Sequence, residues 1–355
     1  MYHRESTNTY RIKRWEGAVS LKILYKAYYS TTLKLKPPSD IQRREFAFQL
    51  FELESYVRHI SFKDPSELRS YLEANAPRHA YYSTALYQLP EAKSMEEKGW
   101  LGSELLFDID VDSLRSCREF KVKGGIELID DNCLIEGFKA ALRVKRLLYR
   151  DLGVNSKVYF SGNRGFHVIG SCDYCLTLSR EERGEIAAYI AGLDLDLSKI
   201  IPFKLGKVTP ATPTADDPGW RGLIGEYLIL RGFSRTLEID ESTLKILIEE
   251  LRIPLDMQVT KDPSRLARII GSINGKSSLL VVEVEDDSFK PTMSLSPFRG
   301  EVTVKTNVDL EELEILGLKV GFRKNEVLDL EAPVALLLAS KNVVTPMSGE
   351  VWVEH

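Results

Sequence analysis

Cysteine is scarce: four in 355 residues make no disulfide framework, so a reducing cytoplasm is the expected compartment. Long apolar runs are missing as well. The longest, such as Ala335-Leu336-Leu337-Leu338-Ala339, fall far short of the ~18 residues a membrane span needs. The N-terminal Met1-Tyr2-His3-Arg4-Glu5-Ser6 lacks the apolar core of a signal peptide, so no membrane association is expected. Nor is there an excess of positive charge: 48 basic against 52 acidic residues leave a net charge of −4. A protein that grips a long duplex by charge alone is normally basic overall. A nucleic-acid ligand would need cations focused in a cleft, or a partner that supplies part of the grip.

What is present is an ordinary globular mixture, 43% hydrophobic and 28% charged, which buries a core and excludes disorder. Helix and strand signals interleave without the steady βαβ rhythm of a doubly wound sheet, so the fold class is mixed α/β. Helices are expected over 18–30, from Asp64-Pro65 to about Asn75, over 133–151, from the capping box Ser179-x-x-Glu182 to about 191, and over 241–252. A short helix is expected to start at Asp262-Pro263, and a last one covers 332–340. Strands are expected over 79–89, 104–111, 157–161, 279–285, 301–306 and 314–321, with another through Phe166-His167-Val168. Between 203 and 237, Pro210, Pro213 and Pro218 break any regular element. Residues 203–252 therefore read as a partly helical insert in a single unit spanning 1–355.

The sharpest local feature is Leu105-Leu106-Phe107-Asp108-Ile109-Asp110-Val111-Asp112. In a strand, Asp108 and Asp110 share one face while Phe107, Ile109 and Val111 turn to the core. Two carboxylates ~7 Å apart on one face repel unless a cation sits between them. Mg²⁺ or Mn²⁺ suits all-oxygen ligands; the alternative is a strand end whose acids face solvent.

A second feature, Val158-Tyr159-Phe160-Ser161-Gly162-Asn163-Arg164-Gly165-Phe166-His167, runs from an apolar strand through a glycine-bearing turn and back. Ser161, Arg164 and His167 could converge on an anion there, or the turn could be a plain hairpin. Further on, two acids compete for a third catalytic carboxylate. Asp262 precedes Pro263 and reads as an N-cap, whereas Asp256 has no evident local employment. Arg265 and Arg268, three apart, would share a helix face and suit phosphate oxygens, or simply be solvated. The stretch Gly271-Ser272-Ile273-Asn274-Gly275-Lys276-Ser277 mimics the end of a phosphate-binding loop. It lacks the first glycine, and a strand follows it, so it is not one.

Together these segments resemble the small, catalytic subunit of the archaeal and eukaryotic replicative DNA primase. The resemblance extends through Arg44-Glu45-Phe46-Ala47-Phe48, Tyr56-Val57-Arg58-His59-Ile60-Ser61-Phe62, Tyr82-Ser83-Thr84-Ala85-Leu86-Tyr87, Lys98 to Asp110, and Leu295-Ser296-Pro297-Phe298. It covers most of residues 20–300 in order. It implies a primase-polymerase fold with a cleft between two subdomains, and template-directed primer synthesis by two-metal nucleotidyl transfer. The metal triad maps onto Asp108, Asp110 and Asp256, and the nucleotide-binding positions onto Ser161, Arg164, His167 and Arg268. Asn274 stands where the family usually has His, able to donate to a phosphate but not to carry charge. The implied partners are a large primase subunit, a single-stranded DNA template and nucleoside triphosphates. A repair- or plasmid-type relative of the same superfamily, or a non-catalytic nucleic-acid-binding scaffold, are the other readings. The family's zinc knuckle is missing between Arg115 and Asn132. Cys117, Cys133, Cys172 and Cys175 do not form an evident four-ligand site, so structural zinc is not expected.

Overall fold

The structure is a computed structural model. It describes residues 3–4, 10–16, 20–31, 34–114, 117, 121–122, 126–128, 130–200, 203–204, 207–208, 213–232, 239–285 and 288–354.

Its centre is a four-stranded antiparallel sheet in the order Val282–Val284, Asn155–Phe160, Gly165–Ser171, Leu105–Asp110. The strand Leu105–Asp110 forms because Leu105, Phe107 and Ile109 alternate with residues of the other face, and these three are fully buried. The long helix Asp131–Leu152 covers that apolar face. Asp130 caps it by accepting from the Asn132 and Cys133 amides, and Gly153 ends it in the left-handed region. Phe138 packs on Phe166, and Phe160 and Phe166 meet each other, so the contact is largely aromatic.

A second four-stranded sheet runs Leu266–Arg268, His79–Ser83, Phe46–Gln49, Tyr56–Ile60. Helix Pro65–Asn75 starts as the sequence predicts, with the Asp64 side chain accepting from Ser66 and Glu67. Its Tyr71 packs against Phe48 and Phe62, and Phe46 meets Phe62 edge to face. The buried Arg44 joins the two sheets, donating to the Ser83 carbonyl and pairing with Glu104 at 2.9 Å. Beside it the buried Glu45 pairs with Lys98 and with Arg58. Removing either partner of such a pair would strand a buried charge.

The third sheet is five-stranded, ordered His3–Arg4, Tyr10–Glu16, Val344–Val353, Phe298–Thr306, Val327–Glu331, with the apolar helix Ala332–Ser340 packed on it.

Four expectations fail. Residues 213–232 are not irregular: helix Gly219–Leu230 follows Pro218, which serves as its N-cap residue, and it packs on Asp131–Leu152. The segment 314–321 is a hairpin, Leu310–Ile315 and Leu318–Phe322, that turns at Leu316 and Gly317. No helix starts at Asp262. A five-residue helix, Met257–Lys261, ends there, and Leu266–Arg268 is a strand. The cysteines are paired, Cys117 with Cys133 and Cys172 with Cys175, at Cα separations of 5.7 and 5.0 Å that suit disulfides. The sequence hides the first pair because the start of the long helix, not sequence proximity, brings Cys133 to Cys117.

Candidate active site

Register decides which side chains meet. Tyr159 is paired with His167, and His167 with Asp108, so all three point to the sheet face opposite the long helix. Asp110, two residues on, joins them across from Gly165. Glycine is needed there, since a Cβ at 165 would lie 2.6 Å from the Ile109 carbonyl oxygen. The alternation expected of Asp108 and Asp110 is therefore observed, and the third acid arrives from another element. Leu255 bridges to Ile109, and the Asp256 amide donates to the Asp108 carbonyl at 3.1 Å. Asp256 thus stands beside Asp108.

Its employment differs from the expectation. Asp256 caps helix Met257–Lys261, accepting from the Gln258 and Val259 amides at 2.9 and 3.3 Å. Asp262 accepts from the Ser264 amide and hydroxyl and pairs with Arg265 at 3.3 Å. Both acids serve local turns, so capping does not separate them; proximity to Asp108 does. Arg265 and Arg268 also share no helix face. Arg268 ends the strand Leu266–Arg268 and Arg265 lies just before it, and the charges of both reach Asp108.

The carboxylates are electrostatically strained. Burial, reinforced by the charge of Asp256, raises Asp108 to about 6, although it keeps 34% of its side-chain surface. Burial likewise raises Asp110 to about 6, with Arg164 opposing the shift and Asp112 and Asp108 adding to it. Asp110 Oδ1 is buried and finds no hydrogen-bond partner among the described residues. Hard acidic oxygens that repel one another, one of them orphaned, fit a divalent cation. Among the described residues no three His, Cys, Asp or Glu side chains are already gathered as a cage. Asp110 is instead turned toward a guanidinium: Arg164 Nε lies 3.2 Å from its Oδ2, and Arg164 also pairs with Asp112 at 2.9 Å.

The turn bearing Arg164 is rigidly held. The Ser161 amide donates to the Gly165 carbonyl, and the Val111 amide to that of Arg164. At Gly162 φ is +80°, and a Cβ would sit 2.8 Å from that of Asn274. Asn274 corrects the expectation of a phosphate donor. It is buried, donates to the Ser161 carbonyl at 2.8 Å and accepts from the Lys276 amide at 3.0 Å, so it is closed off from solvent and ties the turn to its own loop.

His167 Nε2 is 3.6 Å from Asp108 Oδ1, and burial with the nearby Arg268 lowers its pKa to about 3. The ring is therefore neutral at pH 7. Arg268 lies over the Tyr81 ring, 4.8 Å from its centroid, and contacts His79 Nδ1 at 3.0 Å. Sequence reasoning missed His79. It is 2% exposed, accepts from the Gly275 amide as well, and is lowered to about 2 by burial and by Arg268. Nothing in a tyrosine-rich strand marks it. Asp112, also missed, was visible as the third acid of the Asp-x-Asp-x-Asp run.

Comparison with known proteins bears on this geometry. The family model of the DNA primase small subunit matches residues 107–286. The DNA primase small subunit PriS of Aeropyrum pernix is 48% identical over 95% of this chain and 96% of its own length. The corresponding protein of Sulfurisphaera tokodaii is 36% identical over 91% and 95%, and that of Staphylothermus marinus 32% identical over 99% of each. Among solved structures, the polymerase domain of Mycobacterium tuberculosis ligase D in complex with DNA overlaps with a TM-score of 0.38 at 11% identity. That match covers 76% of this chain and 83% of the other, a likeness too slight to bear weight.

Proposed function

The chain belongs to the DNA primase small-subunit family, nucleotidyltransferases that synthesise primers on a DNA template, and from that premise we propose how its residues divide the work. Primases and polymerases generally use divalent metals. Asp108, Asp110 and Asp256 would hold them here as Mg²⁺ or Mn²⁺. When bound, such ions favour ionisation of the attacking 3′ hydroxyl and offset charge on the leaving pyrophosphate. The observation that carries this reading is the pairing register, which sets Asp108, Asp110 and His167 on one face with Asp256 alongside.

Arg164 and Arg268 are the cations for the incoming triphosphate. Arg268 is pre-oriented by His79 and Tyr81, which lowers the entropy lost on binding. Arg164 must first leave Asp110 and Asp112, so nucleotide and metal each compete with that pair. Neutral His167 offers a hydrogen bond next to Asp108. Ser161 supplies a hydroxyl and an ordered turn, and Asn274 keeps that turn in place. Residues 1–355 act as one catalytic unit with 203–252 as an insert, and no structural zinc is assigned to the four cysteines. The family name implies a large subunit as partner, with single-stranded DNA and nucleoside triphosphates as substrates. Among the described residues no helix is long and apolar enough to cross a membrane.

The test is primer synthesis by the purified chain on single-stranded DNA, with Mg²⁺ or Mn²⁺, with and without the large subunit. Metal-dependent incorporation of nucleotide supports the reading. No incorporation under either metal, even with the large subunit, overturns it.

A further inference from the structure

The long helix Asp131–Leu152 has a second face that the catalytic reading leaves unused. Its inner stripe, Leu134, Phe138, Ala141, Val144 and Leu148, is buried under the sheet that carries Asp108 and Asp110 on its other side. Its outer stripe, Lys139, Leu142, Arg143, Arg146 and Tyr149, recurs at helical spacing and faces helix Gly219–Leu230 of the insert. Between the two helices lies a cavity of about 490 Å³.

Its chemistry has two parts. The floor is apolar, from Leu142, Leu223 and Leu251, and the rim carries Leu230 and Tyr149, which are 79% and 63% exposed. Isolated apolar residues on a surface are ordinary, but these border one groove. Around them stand four cations, Lys139, Arg143, Lys145 and Arg146, against a single lining acid, Glu226, which Arg146 already engages. Lys139 leans on Glu136 at 2.7 Å. Arg143 carries an unsatisfied donor. Its Nε is buried and finds no hydrogen-bond partner among the described residues. A buried guanidinium N–H without an acceptor is costly, and an acid docked at the groove would offset the charge that Arg143 holds there.

We propose that this groove docks an amphipathic helix of the large primase subunit, its apolar face on the leucines and its Asp or Glu side chains on Arg143 and Lys139. The choice of partner rests on the family reading above; the choice of surface rests on charge complementarity and on place. Asp108 and Asp110 lie across the sheet from this groove, so a template held at those acids would not run over these cations. A leucine floor also gains nothing from a nucleic-acid backbone, whereas a helix-in-groove contact buries it. The insert thereby acquires a role, since Gly219–Leu230 supplies one wall.

The experiment titrates the purified chain with purified large subunit at about 0.15 M and about 0.5 M salt, a range over which exposed charge pairs weaken. Leu230→Asp and Lys139→Glu change exposed side chains and are checked by thermal melt. Leu230→Asp should weaken the complex at least about thirtyfold and Lys139→Glu about tenfold. Primer synthesis by the lone chain should stay within about twofold, because neither residue lies in the catalytic cleft. The proposal is overturned if both variants bind the large subunit like the unaltered chain, if the unaltered chain forms no complex, or if the variants instead lose affinity for a labelled single-stranded oligonucleotide. Failure of the lone chain and of the complex to make primer strikes the functional reading and leaves the binding result to stand or fall by itself.

Discussion

Arg164 Nε sits 3.2 Å from Asp110 Oδ2, so a guanidinium assigned to a triphosphate is paired with a carboxylate assigned to a metal. Asp112 holds the other side of the same guanidinium at 2.9 Å. The pair offsets a concentration of negative charge in the free chain, and on the proposed assignment it would have to open before both ligands bind. On that assignment metal and nucleotide would favour each other's binding, since a cation held by Asp110 would free Arg164 and a triphosphate held by Arg164 would free Asp110.

Arg164→Gln removes a cation from the carboxylates and a ligand from the nucleotide. Mn²⁺ affinity of the nucleotide-free chain, read by electron paramagnetic resonance, should rise about three- to tenfold. The KM for nucleotide should rise at least about tenfold. Unchanged Mn²⁺ affinity would show that the pair does not guard the metal position.

Asp256 and Asp262 are separated by Asn substitution, because Asn also caps. Asp256→Asn should melt within about 1 kcal/mol of the unaltered chain, its amide oxygen still accepting from Gln258 and Val259. Its nucleotide incorporation should fall at least about a hundredfold through loss of a charged ligand. Asp262→Asn should stay active. An inactive Asp262→Asn beside an active Asp256→Asn would reverse the assignment.

His79 gives the fold a pH dependence of known sign. Its folded-state pKa is depressed to about 2, so its contribution is present above the unfolded value and lost as pH falls below it. Between pH 7 and pH 5 the loss should reach about 2 kcal/mol, from ~1.5 pH units below an unfolded pKa of ~6.5. His79→Asn places an acceptor near Nδ1 but takes up no proton. Denaturant unfolding at the two pH values should show the smaller loss for His79→Asn, and equal losses would contradict the burial argument.

Much of this site was legible in one dimension. The alternation through Asp108 and Asp110 needs only the geometry of a strand, and the caps at Asp64 and Ser179 need only local hydrogen bonds. What stayed hidden depends on distant partners. Pro263 looked like the first residue of a helix, but Leu266–Arg268 pairs with His79–Ser83, and sheet pairing overrides the local signal. Helix Gly219–Leu230 stands behind three prolines and contains two internal glycines, at 222 and 225. Its helicity comes from packing on the long helix. Strand Val344–Val353 contains Pro346 and Gly349, and the register against Phe298–Thr306 shifts between Thr303 and Val304, where the proline is accommodated. Asn274 looked free because the carbonyl it serves, that of Ser161, lies 113 residues away in sequence.

The most direct test of the central claim is nucleotide incorporation by Asp110→Ala with Mg²⁺ and with Mn²⁺, alongside its thermal melt. Removing one acid from a repelling, partly buried group relieves strain, so the melting temperature should hold or rise. Incorporation should fall at least about a thousandfold under both metals, since the orphaned oxygen of Asp110 is assigned to a cation. A folded Asp110→Ala chain that still synthesises primer with Mn²⁺ would contradict the account.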